Sequence, residues 1–138
     1  MGRARGTALT FLLDTNVCVR YLNGRAPKVR TRFLSVPDNE IAVCSIVKVE
    51  LWQGALKSQD PARTRANQDQ FFARFISLPF DDAVAEVAAR VRFQLAAQPI
   101  GPLDTLIAAI ALANDLTLVT HNTREFGRVS GLQLDDWE

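Results

Sequence analysis

Cysteine is nearly missing from these 138 residues, occurring only as Cys18 and Cys44, too few for the disulfide framework of a small secreted domain. Both lie in apolar surroundings and read as buried, reduced thiols. Histidine occurs once, as His121, and no CxxC pair exists, so a Cys/His zinc site lacks its ligands and any metal has to be held by oxygen. Long apolar runs are missing too. The longest, Leu106 to Ala113, is far below the roughly 18–20 residues that cross a bilayer. The Met1 to Leu13 segment has two arginines and a short apolar stretch but no small-residue cleavage site, and it is too short for a signal peptide. A cytoplasmic protein without a membrane span is expected.

What is present suits one globular domain over residues 1–138. Hydrophobic residues make up 48% and charged residues 22%, with seven Gly and six Pro, outside the disordered and collagenous ranges. Net charge is +1, but it is unevenly spread. Residues 1–35 carry seven Lys/Arg and one acid, and residues 81–138 carry four Lys/Arg and nine acids. Such polarity fits a basic ridge for a polyanion beside an acidic cation site, and equally fits solvated helix faces.

Short apolar runs at Leu9–Leu13, Glu40–Cys44 and Leu116–Thr120 alternate with segments of helical spacing. Helices are expected at 15–23, 27–36, 45–58, from Asp60-Pro61 through the stripe Phe71, Phe72, Phe75 and Ile76, from Asp81-Asp82 to about Gln98, and over 103–113. Leu78-Pro79-Phe80 reads as an extended piece and Gly131–Leu134 as a last strand. This alternation predicts an α/β fold with a central, mainly parallel sheet flanked by helices. Ligands gather outside the carboxyl ends of such strands, where Asp14 and Thr120-His121-Asn122 fall.

Three acids sit in apolar company. Asp14 ends the Phe11-Leu12-Leu13 run, where a helix N-cap explains it as well as a site does. Glu50 interrupts Val47, Val49, Leu51 and Trp52. Asp104 falls in the first turn after Gly101-Pro102, favoured there by the helix dipole. Together, three carboxylates from separate segments repel one another unless a cation joins them. Mg²⁺ or Mn²⁺ takes oxygen ligands and shares its site with phosphates, and such a site activates water for attack on a phosphodiester.

Four ordered motifs carry a family resemblance: Phe11-Leu12-Leu13-Asp14-Thr15-Asn16; Ser45-Ile46-Val47-Lys48-Val49-Glu50-Leu51 with Gly54; Gly101-Pro102-Leu103-Asp104-Thr105-Leu106-Ile107-Ala108-Ala109; and Leu118-Val119-Thr120-His121-Asn122-Thr123-Arg124-Glu125-Phe126. Over residues 9–137 the chain resembles the PIN-domain ribonucleases, and most closely the VapC toxins of type II toxin–antitoxin systems. The resemblance implies a PIN fold and Mg²⁺- or Mn²⁺-dependent endonucleolytic cleavage of RNA, with tRNA and its anticodon arm as the substrate class. It matches Asp14, Glu50 and Asp104 to metal ligands, Asn122 to an auxiliary catalytic position, and Thr15, Asn16, Ser45 and Thr120 to supporting positions. Many PIN domains have aspartate where Asn122 stands; the amide keeps an oxygen but drops a charge, weakening a second ion site. A homodimer and a VapB-like antitoxin, seated in an apolar groove with a basic side chain near the carboxylates, are implied as well.

Arg20, Arg25, Lys28, Arg30 and Arg32 are candidates to track an RNA backbone; a solvated basic helix is the equal alternative. Trp52 and the Phe71, Phe72, Phe75 stripe read as core, and Asp135 and Asp136 as tail residues. His121 titrates in the range of an acid or base, although hydrolysis by a metal-activated water does not need one. A housekeeping PIN nuclease and a catalytically inactive RNA- or partner-binding PIN domain are the alternatives. A receiver-like signalling module lacks its lysine after the late strand.

Overall fold

The computed structural model describes residues 8–138; the arginines at 3 and 5 and most of the 1–13 segment discussed above lie outside them. Five strands, β1 (Phe11–Leu13), β2 (Ile41–Cys44), β3 (Ile76–Leu78), β4 (Thr117–Val119) and β5 (Leu134–Asp135), form one sheet in the order β3-β2-β1-β4-β5. Every pairing is parallel, with Leu12 beside Ala42 on one side and Leu118 on the other. Parallel neighbours need crossovers. These are supplied by α1 (Thr15–Asn23), α2 (Pro27–Ser35), α3 (Ser45–Leu56), α4 (Pro61–Phe72), α5 (Asp82–Gln94), α6 (Pro102–Ala113) and α7 (Thr123–Phe126), the helices seen among the described residues.

The central strands are apolar without alternation because helices cover both faces. All four residues of β2 are fully buried, as are Leu12, Leu13, Leu118 and Val119. Ile107 to Ala111 of α6 are equally inaccessible, so this helix forms one wall of the core. An aromatic cluster closes the other end of the molecule: Phe33 packs edge-on to Trp137 at 5.2 Å, and Trp137 packs edge-on to Phe11 at 5.4 Å. Gly24, at φ 71°, ends α1 in the left-handed conformation that suits glycine.

Several expected boundaries move, each for a local reason. Helix α4 stops at Phe72, two tight turns follow, and Ile76 pairs with Ala42 in β3. Phe75 stays in the core while Ile76 is 52% exposed, so the stripe does not belong to one helix. Helix α5 ends at Gln94, short of Gln98: Leu95 leaves helical geometry at φ −99° and ψ 14°, and tight turns follow in which the Ala96 N–H donates to the Phe93 carbonyl and the Gln98 N–H to the Leu95 carbonyl. The last strand is Leu134–Asp135 and not 131–134. Asp135 is thus a strand residue, paired with Arg32 at 3.1 Å, and Asp136 is paired with His121 at 3.0 Å; neither is a loose tail.

The order of strands reverses direction at β1. Chain leaving β1 turns toward β2, whereas β4 lies on the opposite side, which makes the β1/β4 carboxyl ends the topological switch point of the sheet.

Candidate active site

Asp14 follows β1 directly, at that switch point. Its backbone N–H donates to the Val119 carbonyl (3.1 Å) and its Oδ1 accepts from the Val17 N–H (2.9 Å), capping α1. The Thr120 hydroxyl, wholly buried at the end of β4, bonds the same carboxylate. Thr120 Oγ1 in turn accepts the Asn122 N–H at 3.0 Å, so residues 120–122 orient Asp14 through one hydroxyl. Asp14 is only 5% exposed, and burial pushes its carboxyl up to about 6; the Thr120 and Val17 hydrogen bonds oppose the rise, and the charges of Asp104 and Glu138 add to it.

Asp104 stands half-buried in the first turn of α6. Its carboxyl is also raised, first by burial and then by the charges of Glu50 and Glu125. The side chain folds back over Gly101, where a Cβ would come within 3.2 Å of Asp104 Oδ2; Gly101 leaves the carboxylate its room. Glu50 is half-buried on α3, and its Oε1 accepts a short hydrogen bond from the Thr15 hydroxyl. Among the described residues no ion pair reaches Asp14, Glu50 or Asp104. Three acids therefore influence one another at the carboxyl edge of the sheet with only hydroxyls and backbone N–H groups to steady them.

Ser45 is not drawn in: its hydroxyl donates to the Leu78 carbonyl at 3.5 Å. Asn16 and Asn122 line an open cleft of about 570 Å³ together with Val19, Arg20, His121 and Glu138. The basic candidates do not form one track. Arg32 pairs with Asp135 and covers the Trp137 ring at 5.2 Å, Arg30 lies over Tyr21, and Lys28 and Arg32 line a separate cleft with Trp137. Arg25 is exposed. Only Arg20 of the five lines the cleft with Asn122.

The same constellation can be placed among known proteins. The PIN domain family matches residues 11–132. The tRNA(fMet)-specific endonuclease VapC of Shigella flexneri is 40% identical over 131 residues, covering 94% of this chain and 98% of that protein. The chain belongs to the PIN-domain family, in its VapC branch. The VapC of Salmonella typhimurium, likewise a tRNA(fMet)-specific endonuclease, is 36% identical over the same shares. Among solved structures, the DNA-bound VapBC of Salmonella typhimurium superposes with a TM-score of 0.89 at 36% identity, covering 94% of this chain and 99% of that one. VapBC2 of Rickettsia felis bound to a promoter DNA fragment gives 0.87 at 32% identity, covering 94% and 100%.

Two acids of this PIN domain escaped the reading of its sequence as site residues. Glu125 acts on Asp104, and Glu138 acts on Asp14. Glu125 lay inside the Asn122–Phe126 motif, but its helix, α7, has only four residues and shows no periodicity to place a side chain. For Glu138 nothing in the local sequence signals a position beside β1.

Proposed function

We propose that this VapC-family PIN domain is a divalent-metal-dependent endoribonuclease acting on tRNA in the cytoplasm, controlled by a cognate antitoxin. The observation that carries it is the group of Asp14, Glu50 and Asp104, drawn from three segments to the switch-point edge without a cation of their own. Among the described residues no three His, Cys, Asp or Glu side chains close into a ready-made cage. Mg²⁺ and Mn²⁺ take oxygen ligands, keep several waters and share their sites with substrate phosphates, so they do not require one. The donors are all oxygen, and the carboxyls of Asp14 and Asp104, raised first by burial and then by neighbouring acids, are groups whose charged form a bound cation would favour.

Asp14, Asp104 and Glu50 would hold that cation, which when bound supplies Lewis-acid stabilisation of a phosphodiester and lowers the pKa of water. The protein's share is orientation. Thr120 fixes the Asp14 carboxylate, Thr15 fixes Glu50, and Gly101 makes room for Asp104. Partners of this kind, acting through a ligand, commonly matter 10- to 100-fold in other metal sites, by rough estimate. Asn122 supplies a neutral oxygen at the cleft wall in place of a fourth charge.

The substrate class and the antitoxin follow the relatives, named as tRNA(fMet)-specific endonucleases and solved as VapBC complexes. An apolar groove between α1, α3 and α4, lined by Val19, Leu22, Leu51 and Gln68, supports a protein partner. Val49 and Leu56, 56% and 77% exposed and two turns apart on α3, support a homodimer face. The test is incubation of purified protein with bulk tRNA in Mg²⁺, in Mn²⁺ and in EDTA, with cut ends mapped by sequencing. Discrete cuts that vanish in EDTA and in Asp104→Asn are expected; metal-independent cutting, or none by folded antitoxin-free protein, would overturn the reading.

A further inference from the structure

Among the described residues, the cleft lined by Asn16 and Asn122 contains one Lys or Arg side chain. Arg20 projects from α1 into it, 45% exposed at its side chain, and its Nη2 lies 3.2 Å from Glu138 Oε1. We propose that Arg20 is the phosphate-receiving residue of this cleft, and that Glu138 is an internal counter-ion which an RNA phosphate displaces. The inference rests on the endoribonuclease reading for its ligand.

Three observations converge on it. First, position: Arg20 and Glu138 share the cleft wall with Asn16 and Asn122, two of the candidate site positions, and the charge of Glu138 reaches Asp14. Second, capacity: a guanidinium carries five donors in a planar fork suited to phosphate, and Glu138 is the one ion-pair partner of Arg20 among the described residues. Third, exclusivity within this cleft: Arg32 is tied to Asp135 and Trp137, Arg30 lies over Tyr21, His121 is held by Asp136, and Lys28 lines the adjoining cleft, which shares Glu138 but not Asn16 or Asn122. The charge of Glu138 is also felt at Asp14, whose carboxyl it helps to raise. Exchange of this carboxylate for a phosphate leaves Arg20 paired while freeing Glu138 to turn toward water. The same carboxylate discourages other anions from occupying Arg20 when no RNA is present.

The experiment is binding of fluorescently labelled bulk tRNA in EDTA across a KCl series, using the full chain. Arg20→Gln is expected to weaken binding about tenfold at 0.1 M KCl and to reduce the slope of log affinity against log salt by about 0.7–0.9, the loss of one phosphate contact. Arg20→Lys, which keeps the charge, should restore the slope. Glu138→Gln is expected to strengthen binding about three- to tenfold, and this gain should vanish in the Arg20→Gln background, because the two residues act through one contact. Glu86→Gln, the same charge change on exposed α5, serves as the control. A gain that survives in the Arg20→Gln background, or that Glu86→Gln reproduces, would reduce Glu138 to bulk charge and overturn the proposal. So would an Arg20→Gln protein with unchanged affinity and slope. Cleavage is measured separately in Mg²⁺ and Mn²⁺: Arg20-dependent binding without any cutting would sink the nuclease reading and leave the phosphate site standing.

Discussion

Acids occur in two settings around this sheet, and their neighbours differ. At the β1/β4 edge, Asp14 has hydroxyl and backbone N–H partners and Glu50 a hydroxyl partner, and among the described residues no ion pair reaches either of them or Asp104. Around the 135–138 segment and at Asp38, acids have basic partners: Asp135 faces Arg32, Asp136 faces the His121 ring, Glu138 faces Arg20, and Asp38 takes two bonds from Arg74 at 3.0 Å. The paired acids tie distant segments together. The unpaired ones oppose folding and are tolerable only where something outside the chain supplies the positive charge. On the proposed reading, the contrast separates acids that build the molecule from acids kept for a ligand.

The largest expected effect removes charge from the unpaired set. Asp104→Asn keeps the shape of the side chain and its place over Gly101, so the fold should persist, by circular dichroism, while metal-dependent tRNA cleavage falls by about 10³-fold. That magnitude reflects several kcal/mol of transition-state stabilisation by a metal site, at about 1.4 kcal/mol per tenfold. Cleavage within tenfold of the parent would remove Asp104 from the candidate ligands.

A second prediction turns the same charge into a stability measurement. Asp14 rises from an ordinary 3.8 to about 6 on folding, chiefly through burial. The native state therefore holds its proton longer than the unfolded chain does, and the stability linked to it is fully present below 3.8 and lost as pH rises through about 6. Asp14→Asn keeps an oxygen for the Val17 N–H and has nothing to ionise. In EDTA it should melt higher than the parent at pH 7.5, by up to about 3 kcal/mol, and the gap should close toward pH 4. Added Mn²⁺ should raise the melting point of the parent alone. A gap independent of pH would mean that burial of the charge is not what the substitution relieves.

Much of this contrast was legible in the chain, but unevenly. Asp14 and Glu50 were visible because each stands against a strong apolar pattern, and Asp104 because Gly101-Pro102 marks the start of its helix. The parallel sheet was legible from β2 and β4, whose unbroken apolar runs leave no wet face. Partners were not. Arg32 and Asp135 are 103 residues apart, and no local pattern encodes a pairing over that separation. Four basic residues on two helices, with Arg25 between them, read equally as an RNA-tracking ridge or a solvated face, and the fold gives Arg20, Arg30 and Arg32 separate partners. The end of α4 was misjudged because Phe75 is as buried as a helix stripe requires, although the chain reaches that burial through turns.

Between these extremes lies Thr120, which is neutral, completely buried and bonded to Asp14. Thr120→Val keeps the volume and deletes the hydroxyl. The Asn122 N–H loses its acceptor and Asp14 loses its orientation, so cleavage or Mn²⁺ affinity should fall 10- to 100-fold, the rough scale for groups that act through a ligand. A higher Mn²⁺ requirement at unchanged maximal rate would place the effect on ion binding; an unchanged titration would mean Asp14 is held well enough by Val17 and burial.

The smallest effect belongs to the paired set. Asp135 Oδ2 accepts from both Arg32 Nη2 and Trp137 Nε1 at 3.1 Å, and its side chain is a third exposed. Such a partly wetted pair contributes at most about 1 kcal/mol, and Asp135→Asn retains an oxygen for the indole. The melting point should drop slightly, less so at high salt because screening already weakens the pair, and cleavage should stay within twofold. Because Asp104→Asn and Asp135→Asn delete the same charge, the two variants differ only in whether the protein had a cation waiting there. Equal losses of cleavage would mean that net charge, and not the unpaired edge of the sheet, governs activity.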